Sequence, residues 1–167
     1  SKLIRANLDM SCRLDVSLAE ELDFVKQYVE VERPLVDGNF EFKLEVAPDI
    51  DLDKVHVPSM FVQILVENAL VHGLRGWEGE KLLQVKVERR QKGMTSISVI
   101  DNGPGFDIRS TGKKRTGLTV LSQTIAMINE RNRCKMTFSM RNLKGEDGKV
   151  LGCESSFCIP DEINLSI

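Results

Sequence analysis

Two short alternating runs, LLQVKVERR (82–90) and MTSISVI (94–100), flank the polar turn QKG and constrain this chain more than any other feature. Alternation at period two sends every second side chain to one face, so the pair reads as an antiparallel hairpin with one buried side. A sheet with one buried side needs a second layer to cover it. The second strand runs straight into VIDNGPGFD (99–107), which sets the carboxylate of Asp101 at the strand end and follows it with Gly103, Pro104 and Gly105. Two readings are open, a plain turn or the floor of a pocket. One glycine is enough for a turn. The second glycine and the acid favour the pocket, because glycine lets a planar ring approach the backbone and a carboxylate accepts from an exocyclic amine.

The covering layer is helical. Ser17 and Glu20 form a capping box before LAEELDFVKQYVEVER, where Leu18, Leu22, Val25 and Val29 recur at helical spacing until Pro34 ends the helix. FEFKLEV (40–46) alternates as a strand, and APDID after it is turn chemistry. Pro58 is placed as the first residue of a second helix through MFVQILVENALVHGL, with Gly73 as its end. Leu118, Leu121, Ile125 and Ile128 mark a third helix ending near Asn132. KMTFSM (135–140) and residues 150–159 close the chain as two strands around the connector NLKGEDGK. This order predicts an α/β two-layer sandwich, with three main helices on one face of a mixed, mainly antiparallel sheet.

Composition removes several function classes. At 167 residues there is room for one domain, and a net charge of −2 argues against a nucleic-acid partner. Cys12, Cys134, Cys153 and Cys158 form no CxxC pair and have no histidine at metal-ligand spacing, so they read as reduced, mostly buried thiols in a cytosolic setting. No apolar run approaches the roughly 18 residues a membrane span needs, so no membrane contact is expected. The opening LIRANLDMSCRL looks like the tail of something longer, which makes residues 1–14 the remnant of a preceding helix and 15–167 the domain proper.

At 100° per residue the second helix puts Val62, Leu65, Val66, Ala69 and Leu70 on one half and Gln63, Glu67, Asn68 and His72 on the other. Met60, Ile64 and Val71 share the polar half, a mixture suited to a partly dry cleft. Glu67 and Asn68 could present oxygens to Mg²⁺ or to its waters; Asn68 could equally serve a neighbouring backbone group. Between Gly103 and Gly117 apolar periodicity disappears, leaving Ser110, Thr111 and the basic run Lys113, Lys114, Arg115 before a helix at Thr116. Free N–H groups, a helix terminus and cations make a phosphate cradle, without the spacing of a P-loop. Adenine supplies the amine that Asp101 would hold.

VPSMFVQILVENALVHGL, DNGPGF and RTGLTVL, in that order, resemble the N box and the two glycine boxes of the GHKL ATPases, over roughly residues 15–160. Within that superfamily the match is closest to the LytS-like sensor histidine kinases. The resemblance implies the Bergerat sandwich, ATP and Mg²⁺ as cofactors, and phosphotransfer to a histidine. Asn68 would hold the metal, and Glu67 would act on the acceptor or order the metal's waters. Asp101, Gly103 and Gly105 would bind and shape the adenine rim. Lys113, Lys114, Arg115, Thr116, Gly117 and Leu118 would lie along the phosphates.

Val71 stands where the family often has lysine, Arg115 replaces a glycine, and Cys153 replaces a threonine in the closing strand. His56 and His72 read as structural or pocket-lining, so the acceptor histidine is expected upstream, in a dimerising helical hairpin. The implied partners are those helices, in a homodimer, and a response regulator. The implied location is the cytoplasmic part of an integral membrane sensor. The alternatives are a nucleotide-sensing pseudokinase module and a stand-alone GHKL ATPase or serine kinase. Trp77 is expected to pack over the end of the second helix, and Glu88, Arg89 and Arg90 to lie at a strand edge.

Overall fold

The computed structural model describes residues 15–91, 93–106 and 116–166. Within them the order is β1 (Asp15–Ser17), α1 (Leu18–Glu32), a 3₁₀ turn (Arg33–Leu35), β2 (Phe40–Val46), β3 (His56–Pro58) and α2 (Phe61–Asn68). A π-helical segment (Ala69–Leu74) continues α2, followed by β4 (Lys81–Arg89), β5 (Met94–Asp101), α3 (Thr116–Glu130), β6 (Thr137–Lys144) and β7 (Val150–Pro160). Five strands form one sheet in the order β2-β4-β5-β7-β6, while β1 and β3 pair separately. Only the β2–β4 pair is parallel; the other three neighbours are antiparallel.

All three helices supply the core that covers one face of the sheet. Leu22, Val25 and Val29 of α1, Val62, Leu65 and Val66 of α2, and Leu121 and Ile128 of α3 are buried with Val85, Val87, Ile97, Val99 and Phe157 of the strands. Phe61 and Phe157 meet edge to face, 5.8 Å between centroids, and lock α2 to β7. The expected sandwich is the observed one.

The start of α1 follows its sequence: the Glu20 N–H donates to Ser17 Oγ at 3.1 Å, and the Ser17 hydroxyl to Glu20 Oε1 at 3.4 Å. The start of α2 does not. Pro58 is the last residue of β3, opposite Asp15, and the helix begins only at Phe61, after Met60 at φ +74°. The cap comes from another element. Glu21 of α1, 0% exposed, accepts from Met60 N–H at 3.1 Å and from Val62 N–H at 2.8 Å. A carboxylate on these orphan amides does what a local cap residue would have done.

Other boundaries move for similar reasons. Gly73 lies inside the π-helical segment, which closes with Arg75 N–H on Leu70 O at 2.8 Å. β6 extends to Lys144 because Asn142 and Leu143 pair with Cys153 and Gly152 of β7. Lys135, expected in that strand, instead donates to the carbonyls of Asn129 and Asn132 at the end of α3. Gln63, assigned to the cleft half, is 3% exposed, and its Oε1 meets no donor among the described residues. Cys134 is exposed, against the expectation of burial, whereas Cys153 is buried. Trp77 is 36% exposed just past the helix end. Arg89 pairs with Asp161 at 2.6 Å at the end of β4.

Candidate functional site

Strand β5 delivers Asp101 to a position facing Leu83 on one side and Cys153 on the other, and leaves it 5% exposed. Its Oδ1 accepts the Gly103 N–H at 2.9 Å, which folds the turn back onto the carboxylate. Two asparagines pin the turn. Asn102 accepts from Leu82 N–H at 2.8 Å and donates to Glu80 O at 2.9 Å. Asn142 of β6 accepts from Phe106 N–H and donates to Phe106 O, both at 2.9 Å. DNGPGF is therefore a turn held at both ends.

The glycines are needed for contact as well as for turning. A Cβ on Gly103 would fall 2.1 Å from Gly73 O, and one on Gly73 would fall 2.9 Å from Asp101 Oδ1 and Oδ2. Gly105, at φ +81°, would bring a Cβ to 2.5 Å from Asn142 Oδ1. Gly152 backs the site, since a Cβ there would meet Asp101 O at 2.0 Å. The wider π-helical turn after Asn68 is what carries the Gly73 backbone up to the end of β5; such turns recur at functional sites.

The resulting recess is narrow, about 10 Å³, and is lined by Asn68, Ala69, His72, Gly73, Asp101, Gly105 and Phe106 together with Met140, Cys153 and Ser155. Asn68 and Asp101, 33 positions apart in sequence, thus share one wall system. The Asn68 amide nitrogen donates to Ile64 O at 3.0 Å, so the backbone partner foreseen as an alternative is real. That bond uses one of the two N–H donors and leaves the amide oxygen for another partner. Glu67 is exposed, and with Glu32 it adds to the burial that pushes the Tyr28 phenol up to about 12.

Gly117 opens α3 against Ile64, its added Cβ 3.0 Å from Ile64 Cγ2, so the first turn of α3 stands beside the turn bearing Asn68. Leu118 packs on the core. Lys113, Lys114 and Arg115 lie outside the described residues, as does the Thr116 side chain, residues 1–14 and Cys12.

A larger cavity, about 730 Å³, lies at the other end of the hairpin, but its His56 is paired with Asp15 at 2.9 Å and its Arg89 with Asp161. The smaller recess has the convergent glycines and the buried acid, and it is the better site. Sequence reasoning missed Gly73, Gly152, Phe106 and Asn142 here. Glycine inside an element was the available signal for the first two; for Asn142 there was none.

No family model matches the chain. Sensor histidine kinase YesM of Bacillus subtilis is 31% identical over 130 residues, covering 75% of this chain and 22% of YesM. Sensor protein LytS of Bacillus anthracis is 28% identical over 169 residues, covering 98% of this chain and 28% of LytS. Among solved structures, the catalytic domain of histidine kinase ThkA superposes with TM-score 0.60 at 18% identity, covering 90% of this chain and 97% of that one. Full-length ShkA in complex with AMPPNP gives 0.59 at 15% identity, covering 98% and 36%. At those identities the structural likeness is one of fold. The chain is homologous to LytS-like and other sensor histidine kinases, and its fold is that of histidine kinase catalytic domains. It spans about a quarter of the length of the curated kinases it matches.

Within that kinase framework the departures take definite places. Cys153 is buried in the recess, directly opposite Asp101. Val71 is half-buried on the π-helical segment, and Arg115 lies outside the described residues. His72 is exposed at the edge of the recess, and His56 lines the distant cavity, paired with Asp15. No described helix is long and apolar enough to cross a membrane.

Proposed function

We propose that this domain binds ATP with Mg²⁺ and serves as the catalytic part of a two-component sensor histidine kinase. The observation that carries the reading is the buried Asp101 carboxylate opening into the same recess as Asn68. Asp101 accepts from the adenine amine, with the Gly73 and Gly103 backbones close enough to exclude water from that bond. Gly105 shapes the rim.

The donor set suits the metal. Asn68 offers an amide oxygen whose nitrogen is already engaged, and magnesium takes oxygen ligands from one or two protein groups together with phosphates and waters. When bound, the ion neutralises developing charge on the phosphates. Glu67, exposed beside Asn68, orients the incoming imidazole or a water. Gly117 and Leu118, in the first turn of α3, are assigned to the phosphate end; the same role for Lys113, Lys114, Arg115 and Thr116 rests on the sequence resemblance alone.

Neither described histidine serves as acceptor: His56 is tied to Asp15 and His72 stands at the edge of the recess. The phosphoryl group therefore goes to a histidine upstream, in the helices through which the full protein forms a homodimer. The whole protein is read as a membrane sensor with this domain in the cytoplasm. ThkA in complex with the response regulator TrrA supports a response regulator as the next partner.

Calorimetric titration of the chain with ATP and Mg²⁺ tests binding, and the expected result is a one-to-one isotherm that Asp101→Ala abolishes. Joining the upstream helices and following labelled phosphate onto histidine tests transfer. A folded chain that gives no heat at millimolar ATP refutes the first claim. Label that stays on ATP in the longer chain refutes the second and leaves a nucleotide sensor.

A further inference from the structure

We propose that Asn142, on β6, is a positioning residue of this recess: its carboxamide holds the Gly105–Phe106 backbone as the wall that fixes how tightly a purine is gripped. The inference rests on the nucleotide-binding reading above. Donor and acceptor of one side chain each make a 2.9 Å bond to the same residue, the pattern a neighbouring strand would offer. Among the described residues no other hydrogen bond reaches the Phe106 backbone.

Position gives the clamp its purpose. Asn142 pairs with Cys153, and Cys153 pairs with Asp101, so the purine-facing acid and the clamp stand two strands apart in one cross-sheet row. The turn leaves β5 at Asp101, crosses that row and is caught at Phe106. Gly105 is matched to the clamp, since any side chain there would come to 2.5 Å from Asn142 Oδ1. Without Asn142, only the Asn102 end of the turn stays pinned, and Gly103 and Gly105 let the remainder swing about it.

Asn142 bonds to neither Asp101 nor Asn68 through these contacts, so the effect of its loss is read as nucleotide grip. The test uses the 167-residue chain with Asn142→Ala and Asn142→Asp, the latter keeping an acceptor for the Phe106 N–H. ATP and GTP affinities are read by calorimetry, hydrogen exchange at Phe106 by NMR, and folding by thermal melting. Asn142→Ala is expected to lose about tenfold or more in ATP affinity, narrow the preference for ATP over GTP and speed Phe106 exchange, while melting within a few degrees of wild type. Asn142→Asp is expected to recover part of the affinity. Wild-type binding with unchanged affinity and base preference in Asn142→Ala overturns this role and leaves the nucleotide site standing. A wild type that binds no nucleotide overturns both. Loss of affinity with unchanged Phe106 exchange, or only with global unfolding, also overturns the clamp.

Discussion

Gly73 and Asp101 meet through a missing side chain: a Cβ on Gly73 would stand 2.9 Å from Asp101 Cγ and from both of its carboxylate oxygens. The helix that carries Asn68 can approach the strand that ends in Asp101 only because residue 73 has no Cβ. Helix and strand are thereby fixed against one another at the floor of the recess, and Gly103 repeats the arrangement from the turn side.

Gly73→Ala and Gly103→Ala should fail differently. The first collides with a side chain that can rotate, so the expected outcome is at least about a tenfold loss of ATP affinity with a melting temperature within a few degrees of wild type. The second collides with a backbone carbonyl at 2.1 Å, so it should destabilise the fold by about 2–3 kcal/mol in urea. Reversal of that order, with Gly73→Ala the less folded of the two, would contradict the contact geometry.

Glu21 makes stability depend on pH in an unusual direction. Burial pushes its carboxyl up from 4.5 to about 7, against hydrogen bonds from the Val62, Met60 and Gln63 amides that pull it down. The folded state then holds a proton that the unfolded chain has released between those values. Stability is fully present below pH 4.5, declines by roughly 3 kcal/mol as pH rises to about 7, and levels off above. Glu30 acts in the opposite sense, held low by Arg33, but its contribution is lost only below the ordinary carboxylate range. Urea melts from pH 4.5 to 8 should show the decline in wild type and a flatter curve for Glu21→Gln; a curve that rises through the window would contradict the assignment.

Asn68→Ala should uncouple nucleotide from metal. Loss of the amide oxygen removes a ligand, and loss of the bond to Ile64 O costs stability only about 1 kcal/mol. ATP titrations in Mg²⁺ and in chelator should differ for wild type and coincide for the variant. A variant that keeps the full magnesium effect would place the metal elsewhere.

Phe157→Ala probes the joint between layers. The ring is fully buried and edge-on to Phe61, so its removal should cost about 3–5 kcal/mol and shift the urea midpoint accordingly. A loss under about 1 kcal/mol would mean that α2 and β7 are held by something else.

Periodicity and local signals determined the parts of this protein that neighbours in sequence decide. The hairpin, the Ser17 cap, the apolar faces of the helices and the glycine-rich end of β5 all depend on residues a few positions apart, and all were legible. Asp101, Asn68 and Gly105 could be nominated from their motifs, though nothing local said that they line one recess.

The tertiary structure decided whatever depends on distant partners. β2 lies parallel to β4, Pro58 joins a strand instead of opening a helix, and Glu21 caps α2 from 39 positions away. Asn142 reaches Phe106 across 36 positions. Burial and unsatisfied amides select such partners only once the chain has collapsed, and a linear pattern carries no record of which carboxylate or amide will be nearest.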